Sequence, residues 1–531
     1  MDRVDLMHSL SAADHGGAAD AYASAPLLNC LLREVGEPVP PVAGGRRVYR
    51  LPPGGRLLRV RAGRRPSEPE VYAAGSWRRA GHDELVKLTA EVLRQHTGVS
   101  NSELPAEMTD SRDAVAAILT ARAGAVPPGD PYLRSEQSLI TGHPYHPAPK
   151  ARGGGPVGGW LPYAPEAYAR FPLVLLGVRA DAVVEEGDTA ALDALGTAPP
   201  GYRLLPAHPW QLDLVGAGLA EAFEDGRLIR LGRTECEAAP TAAIRTLHLP
   251  RHPAGGDLFL KFSLDVRITN DVRRLWRHDL LGLRRSDAAA VAAFADLDAA
   301  WLSDRGYRTA DFAFEELAVL VRDGLHGHVA PGATPLLAAA LTECAVGGGG
   351  AAATVGADRG DGVPLLFPWT GPVDPPAWWE AYLRQVVPPA LDAFARHGVV
   401  LEAHLQNTVI AVDADGTPVQ ALFRDAEGLK LLPDVSRAAG WERLVYCLVV
   451  NNLLEIAAVL GERCPEHALW ESARREFSRC ADGLPEVAGL LAAPTLPGKT
   501  NLLLRWTGAD GAAARYLPVP NPLRARGADR A

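Results

Sequence analysis

The sequence predicts an α+β fold rather than a doubly wound parallel sheet. Strand-like and helical runs alternate irregularly, and no internal repeat is present. Helical patterns dominate both ends of the chain, while strand patterns gather in the middle. A Gly- and Ala-rich stretch over 341–362, with Gly347-Gly348-Gly349-Gly350 inside it, reads as a flexible linker. The expected organisation is a mainly helical region over 1–130, a mixed region over 131–340 and a C-terminal region over 363–520.

In the first region, His82 to His96 predicts a helix capped at Asp83, with Leu85, Val86, Leu88, Val92 and Leu93 as its apolar positions. Val48 to Leu51 and Leu57 to Val60 are short strand-like pieces. In the second, Phe171 to Val178 and Leu258 to Ile268 read as strands. Lys261, Ser263, Asp265 and Arg267 recur at period two, giving one polar face that meets either a ligand or solvent. In the third, Trp378 to Arg396 is a helix ended by Gly398, and a hairpin, a helix around 441–460 and further helices follow.

The chain has 531 residues, enough for two to four domains, and its 47% hydrophobic content supports a sizeable core. Net charge is −9, and no run of Lys forms a basic patch, so nucleic acid is not an expected partner. Six scattered cysteines form no Cys-x-x-Cys pair and fit the thiols of a reducing compartment. No basic-then-apolar leader opens the chain. The most apolar stretch, Leu444 to Leu460, holds Asn451, Asn452 and Glu455, and fits a core helix better than a membrane span. A cytoplasmic protein is expected.

Two segments concentrate polar chemistry. Glu402-Ala403-His404-Leu405-Gln406-Asn407 precedes a strand, Thr408 to Val412, then a turn at Asp413 to Thr417 and a returning strand, Pro418 to Phe423. A two-residue turn at Asp415-Gly416 sets Leu422 opposite Val409 and brings Asp425 near Gln406. His404, Gln406, Asn407 and Asp425 then cluster at the open end of the hairpin, either as a simply solvated end or as a site. The oxygen groups suit magnesium, which favours one or two carboxylates plus phosphate. The second segment, Thr141 to Arg152, carries His143-Pro144 and His146-Pro147, then Lys150 and Arg152 ahead of three glycines. No further His or Cys stands at ligand spacing for zinc. Anion binding by the two cations is the more natural reading, and a rigid surface loop is the plain alternative. Arg273, closing the run Thr269 to Arg273, could clamp a carboxylate in bidentate fashion.

Taken in order, the set His-Pro-Tyr-His-Pro-x-x-Lys (143–150), His-Pro-Trp-Gln (208–211), Arg-Thr-Leu (245–247), Lys-Phe-Ser-Leu-x-x-x-Ile-Thr-Asn-x-x-Arg (261–273), Glu-Ala-His-x-Gln-Asn (402–407) and Arg424-Asp425 resembles the NRPS-independent siderophore synthetases, the aerobactin synthetase-like (IucA/IucC) family. The resemblance runs from about 135 to 505. It implies a cupped hand of thumb, fingers and palm, corresponding to the three regions above. It implies an ATP- and magnesium-dependent ligase that adenylates a carboxylic acid, often citrate or a citrate derivative, and passes the acyl group to an amine or hydroxyl nucleophile. Carried over, ATP would meet Arg245, Thr246, Lys261, His404, Gln406, Asn407 and Asp425. Magnesium would meet Asp425 with Glu402 and Gln406. The acid would meet His143, Lys150, Thr269 and Arg273, while Lys499 and Arg505 would close the pocket. His404, Arg273 and Lys261 would serve the chemistry, and a homodimer is implied. One departure stands out: Ala243 occupies a position where the family commonly has Ser, two places before the Arg-Thr pair.

Two other readings remain open. His-x-Gln-Asn followed by an acid across a hairpin faintly echoes kinase metal sites, although a Gly-rich phosphate loop is absent. A non-catalytic member that binds a carboxylate or nucleotide is the other.

Overall fold

The chain crosses from one sheet to another at Ser303. Ala300–Leu302 lies at the edge of a four-stranded sheet, parallel to Pro418–Arg424, and Asp304–Ala310 belongs to an eight-stranded antiparallel sheet. The computed structural model describes residues 3–40, 45–344, 364–371, 373–509 and 516–525; the Gly347–Gly350 linker lies outside them.

In the eight-stranded sheet the order is Val183–Gly187, Asp304–Ala310, Val319–Asp323, Leu258–Phe262, Thr246–Leu249, Leu228–Pro240, Phe171–Arg179, Tyr202–Ala207. Leu258–Phe262 and Val319–Asp323 pair at its centre, where apolar runs are buried on both faces. Leu260 and Val321 join one apolar cluster with Leu173, Leu176 and Leu205.

The polar alternation expected along Leu258 to Ile268 does not lie on one strand. The chain leaves the large sheet at Ser263, whose Oγ accepts the Leu275 N–H at 2.8 Å, and Leu264–Ile268 pairs instead with Asp271–Arg273 in a separate ribbon. Lys261 turns inward, Asp265 pairs with Arg274 and Arg267 is exposed. Four polar residues at period two thus have four different surroundings.

The hairpin pairs Thr408 with Phe423 and Val409 with Leu422, as the counted register predicts. Its turn is longer than two residues. Asp413 N–H donates to Thr417 O and Gly416 N–H to Asp413 O, both at 3.0 Å, which makes a three-residue loop with Gly416 at φ +79°. A bulge at Val419 adds the residue that restores register. Gly416 is required by space as well as by φ: a Cβ there would sit 1.9 Å from Thr370 O.

Residues up to 130 combine the helices Arg3–Glu34, His82–Thr97 and Glu103–Ala123 with a five-stranded antiparallel meander. The helix His82–Thr97 starts from Gly81, without a side-chain cap; Asp83 sits in its first turn, where a carboxylate meets the positive end of the helix dipole. The meander loop carries Arg64 and Arg65 into the C-terminal region, where Arg64 reaches Glu462 and Arg65 reaches Glu455 at 2.6 Å. In the other direction, Asn501–Trp506 returns to the N-terminal region and buries Leu502 and Trp506 in its core.

The C-terminal core forms around the helix Pro375–His397, capped by Gly398 at φ +66°. The expected helix around 441–460 is interrupted. Arg437–Val445 and Leu454–Leu460 are α-helical, but Tyr446–Leu453 is a π-helix. The whole Arg437–Leu460 stretch is long and apolar enough to cross a membrane, yet most of it is buried within the protein. All six cysteines are free. This mixed, multi-domain α+β architecture agrees with the fold class expected from the sequence.

Candidate active site

Where the two sheets and the His-Pro segment converge, they enclose a cavity of about 380 Å³. Its lining includes His143, Lys150, Arg245, Thr246, Lys261, Thr269, Arg273, His404, Gln406, Asn407 and Asp425. Segments separated by more than 200 residues thus meet at one opening.

The sheet junction determines the cationic wall. Lys261 and Arg322 project from neighbouring central strands; Lys261 lies opposite Leu320, two residues before Arg322, so both point to one face. Asp425, at the end of Pro418–Arg424, receives both: Lys261 Nζ at 2.7 Å and Arg322 Nη2 at 2.8 Å. Arg322 also forks onto Asp304 at 2.6 and 3.1 Å, and Asp304 Oδ2 accepts the Ala426 N–H. Burial opposes ionisation of Asp425, but Lys261 and Arg322 outweigh it and hold the carboxyl well below its usual range. Glu427 shares Lys261 Nζ at 2.6 Å. Neither Arg322 nor Glu427 follows from the motifs; an Arg within the apolar run Val319–Asp323 is the signal that could have found the first. Asp425 does not pair with adjacent Arg424, which bonds instead to Glu136, Tyr132 and the Gln406 carbonyl.

Arg273 is the cation with least compensation. Its Nη2 donates to Thr269 Oγ1, and among the described residues no carboxylate pairs with it. Burial, and then Arg245, pushes it down to about 10. Arg245 itself is fixed by donating to the carbonyls of Arg273 and Arg274, both at 3.0 Å. Ile244, Thr269 and Asp425 have φ of +56°, +61° and +86°. Two of these are β-branched, for which this region is sterically unfavourable, and all three line the cavity.

Lys150 and Arg152 share one carboxylate, Glu166, with Arg152 at 3.1 Å. Burial would raise Glu166, but the two cations hold it at about 2. The histidines of this segment are turn caps. Nδ1 of His143 accepts the Tyr145 N–H, and Nδ1 of His146 accepts the Ala148 N–H, each at 3.1 Å. His208 and His252, also followed by Pro, do the same two residues ahead. Proline in the next position removes its own donor and leaves the following N–H for the imidazole. The depth of the cavity, then His404 and Lys499, push His143 down to about 4.

The loop Glu402–Asn407 depends on the π-helix. The wider turn presents the Asn451 carbonyl to the Leu405 N–H at 3.2 Å, and Asn452 Nδ2 donates to Ala403 O at 2.9 Å. His404 and Gln406 thereby reach the cavity. Burial lowers His404, partly offset by Glu402. Glu402 itself is bound by Arg443 and packed against Gly428, where a Cβ would come within 2.7 Å of its Oε2; it does not line the cavity. Lys499 and Arg505 also lie outside the lining, and Arg505 pairs with Glu107 at 2.5 Å.

The cavity's donor set fits a polyanion: Lys261, Arg245, Arg273 and Arg322 converge, and among the described residues Arg273 has no counter-ion. For magnesium, Asp425 is the carboxylate of this group that lines the cavity, with Glu427 next to it on the same Lys261 ammonium but outside the lining; one or two carboxylates are what that ion takes alongside phosphate oxygens. Among the described residues no cluster of three or more His, Cys, Asp or Glu forms a self-sufficient metal cage.

Comparison with known proteins relates the chain to families of iron acquisition. Residues 131–343 match the IucA / IucC family, and residues 376–514 match the family described as ferric iron reductase FhuF-like transporter. L-2,3-diaminopropanoate–citrate ligase of Staphylococcus aureus is 28% identical, across 74% of this chain and 75% of its own length. The rhizobactin siderophore biosynthesis protein RhbC of Rhizobium meliloti is 29% identical, across 78% and 80%. In fold, ATP-bound aerobactin synthetase IucA of Klebsiella pneumoniae superposes with a TM-score of 0.78 at 20% identity, covering 95% of this chain and all of that one. The petrobactin biosynthesis protein AsbB of Bacillus anthracis gives 0.76 at 17% identity, covering 98% of each chain. The cavity draws on both matched regions, His143 to Arg322 from the first and His404 to Asp425 from the second, and the chain thus carries an IucA / IucC family region and resembles proteins of siderophore biosynthesis in sequence.

Proposed function

We propose that the protein is an ATP-dependent acid–amine ligase that activates a di- or tricarboxylic acid, citrate or a citrate derivative, as its adenylate. Relatives named as citrate ligases support the substrate class. The observation that carries the reading is Arg273, a cation pushed down to about 10 with no carboxylate partner among the described residues, facing a cavity lined by Lys261 and Arg245. A buried cation without a counter-ion is costly unless a ligand supplies the anion.

In the first step a substrate carboxylate oxygen attacks the α-phosphorus of ATP, and pyrophosphate leaves. Two anions must approach each other, so Arg273 and Thr269 hold the acid while Lys261, Arg245 and Thr246 hold phosphate, with Gln406 and Asn407 as hydrogen-bonding groups. Asp425, backed by Glu427 on the same Lys261 ammonium, would hold magnesium, which when bound neutralises phosphate charge. In the second step the nucleophile attacks the acyl carbon, the acyl carbon–oxygen bond breaks, and AMP leaves with that bridging oxygen and its electron pair. His404, kept neutral by burial, can accept the nucleophile's proton. Lys150 with Arg152 contributes one surplus positive charge beside the acid. The same reading carries a homodimer and a cytoplasmic setting.

The test is nucleotide product analysis with citrate, its monoamides and 2-oxoglutarate. AMP and pyrophosphate, together with a hydroxamate when hydroxylamine is supplied, support the ligase. ADP as sole product would point to phosphotransfer, and nucleotide binding without turnover to a non-catalytic role.

A further inference from the structure

Among the described residues, the cavity also presents a carboxylate with no cation against it. Of its lining carboxylates, Glu166 meets Lys150 and Arg152, Asp425 meets Lys261 and Arg322, and Glu455 meets Arg65. Asp271 is exposed at the mouth. Glu343 is only 5% exposed, and among the described residues no cation contacts it. It accepts three hydrogen bonds: Thr141 N–H onto Oε2 at 2.9 Å, Thr141 Oγ1–H onto Oε1 at 2.7 Å, and Cys344 N–H onto Oε1 at 3.2 Å. Arg65, Lys150 and Arg122 feel its charge through space, but each is committed elsewhere, Arg122 to the carbonyls of Gln137 and Glu166.

We propose that Glu343 recognises the ammonium group of the nucleophile, and that the nucleophile is therefore a cationic amine rather than an alcohol. This rests on the ligase reading and extends it. Among the described residues Arg273 has no anion paired with it and Glu343 no cation, and a carboxylate–amine condensation brings one substrate of each sign. Oε2 takes a single donor, which leaves room on that oxygen for a further one, and a carboxylate can accept about four. A charge-assisted contact there anchors one amino group of a polyamine or amino acid while another attacks. Thr141 fixes the carboxylate's orientation from the same segment that carries His143 and Lys150, so the site for the amine is held rigidly to the site for the acid.

The test uses the full chain, with citrate and ATP, and two nucleophiles: cadaverine, a dication at neutral pH, and hydroxylamine, which is neutral there. Wild type should have a lower KM for cadaverine than for hydroxylamine. Glu343→Gln should raise the cadaverine KM about tenfold or more while moving the hydroxylamine KM less than about twofold, and Glu343→Asp should recover part of the loss. Equal losses with both nucleophiles would make Glu343 a purely structural tie to Thr141, and an unchanged cadaverine KM would remove it from the site. Either result overturns the proposal, as does a wild type that does not prefer cadaverine. Thermal stabilisation by cadaverine without ATP separates the two claims. If no acid releases pyrophosphate, yet cadaverine stabilises wild type and not Glu343→Gln, the ligase reading fails and the cation site stands. If neither protein is stabilised and the kinetic split is absent, the cation site fails.

Discussion

Replacing Arg273 with methionine should make the empty protein more stable and the enzyme worse. Burial and Arg245 lower this guanidinium to about 10. Because its folded value lies below its ordinary one, the folded state carries a penalty at every pH below about 10, relieved only above it. The displacement corresponds to about 3 kcal/mol if fully desolvated. The side chain is only partly buried by surface area and faces an open cavity, so water screens it, and about 1–2 kcal/mol is the realistic penalty. Methionine removes the charge and keeps much of the packing, at the loss of the bond to Thr269, about 0.5–1.5 kcal/mol. Urea unfolding without ligand should show a gain of up to about 1 kcal/mol. The acid KM should rise about 30-fold or more, the equivalent of about 2 kcal/mol for a lost charge-assisted contact. Citrate near 100 times its Kd should stabilise wild type by about 2.7 kcal/mol and the variant by far less. A variant destabilised by about 2 kcal/mol with unchanged acid kinetics would show that Arg273 is a structural cation and would refute the reasoning.

Three further outcomes are expected. Asp425→Asn keeps a residue that tolerates φ +86° but leaves Lys261 and Arg322 one carboxylate short. It should lose about 3 kcal/mol of stability and, per folded molecule, orders of magnitude in acid-dependent pyrophosphate release; loss of stability alone, with turnover intact, would leave it a structural residue. Ala243→Ser, facing the cavity, should leave the ATP KM unchanged or lower it by up to about tenfold, and a large activity loss would mean that Arg245 does not meet the nucleotide. His208, fully buried among Tyr163, Phe171 and Phe262, is pushed by burial alone from 6.5 to about 3. Below 6.5 the unfolded chain takes up a proton that the folded one refuses, so stability falls as pH drops from 6.5 towards 3, by about 2 kcal/mol at pH ~5. His208→Asn retains an acceptor for the Trp210 N–H and should flatten that slope in urea titrations; an unchanged slope would exclude His208 as its source.

The hairpin was legible because local chemistry determines it: β-branched strands and an Asp-Gly turn fix register over a few residues, and the bulge at Val419 offset the longer loop. Placement of His404, Gln406 and Asp425 at one opening followed from that count. What escaped depends on contacts between distant segments. Lys261, Ser263, Asp265 and Arg267 look like one polar face until the chain leaves the large sheet at Ser263. Arg322, Glu427 and Glu343 become site residues only because two sheets meet, and no periodicity marks such a junction. Glu402 looks like a metal ligand in sequence, but Arg443, forty-one positions on, takes it.

The π-helix at Tyr446–Leu453 makes the site sensitive to chain length. A π segment contains a residue more than an α-helix of the same rise, so it has the geometry of a one-residue insertion into an α-helix. Removing one residue there would let the ladder close as ordinary α-helix and return the Asn451 carbonyl to it. Everything after it would turn by about 100° relative to what precedes. Glu455 would swing away from Arg65, and the Leu405 amide would lose its acceptor. Single-residue length changes within this helix are therefore the mutations most able to disable the site while leaving every residue that lines it in the sequence.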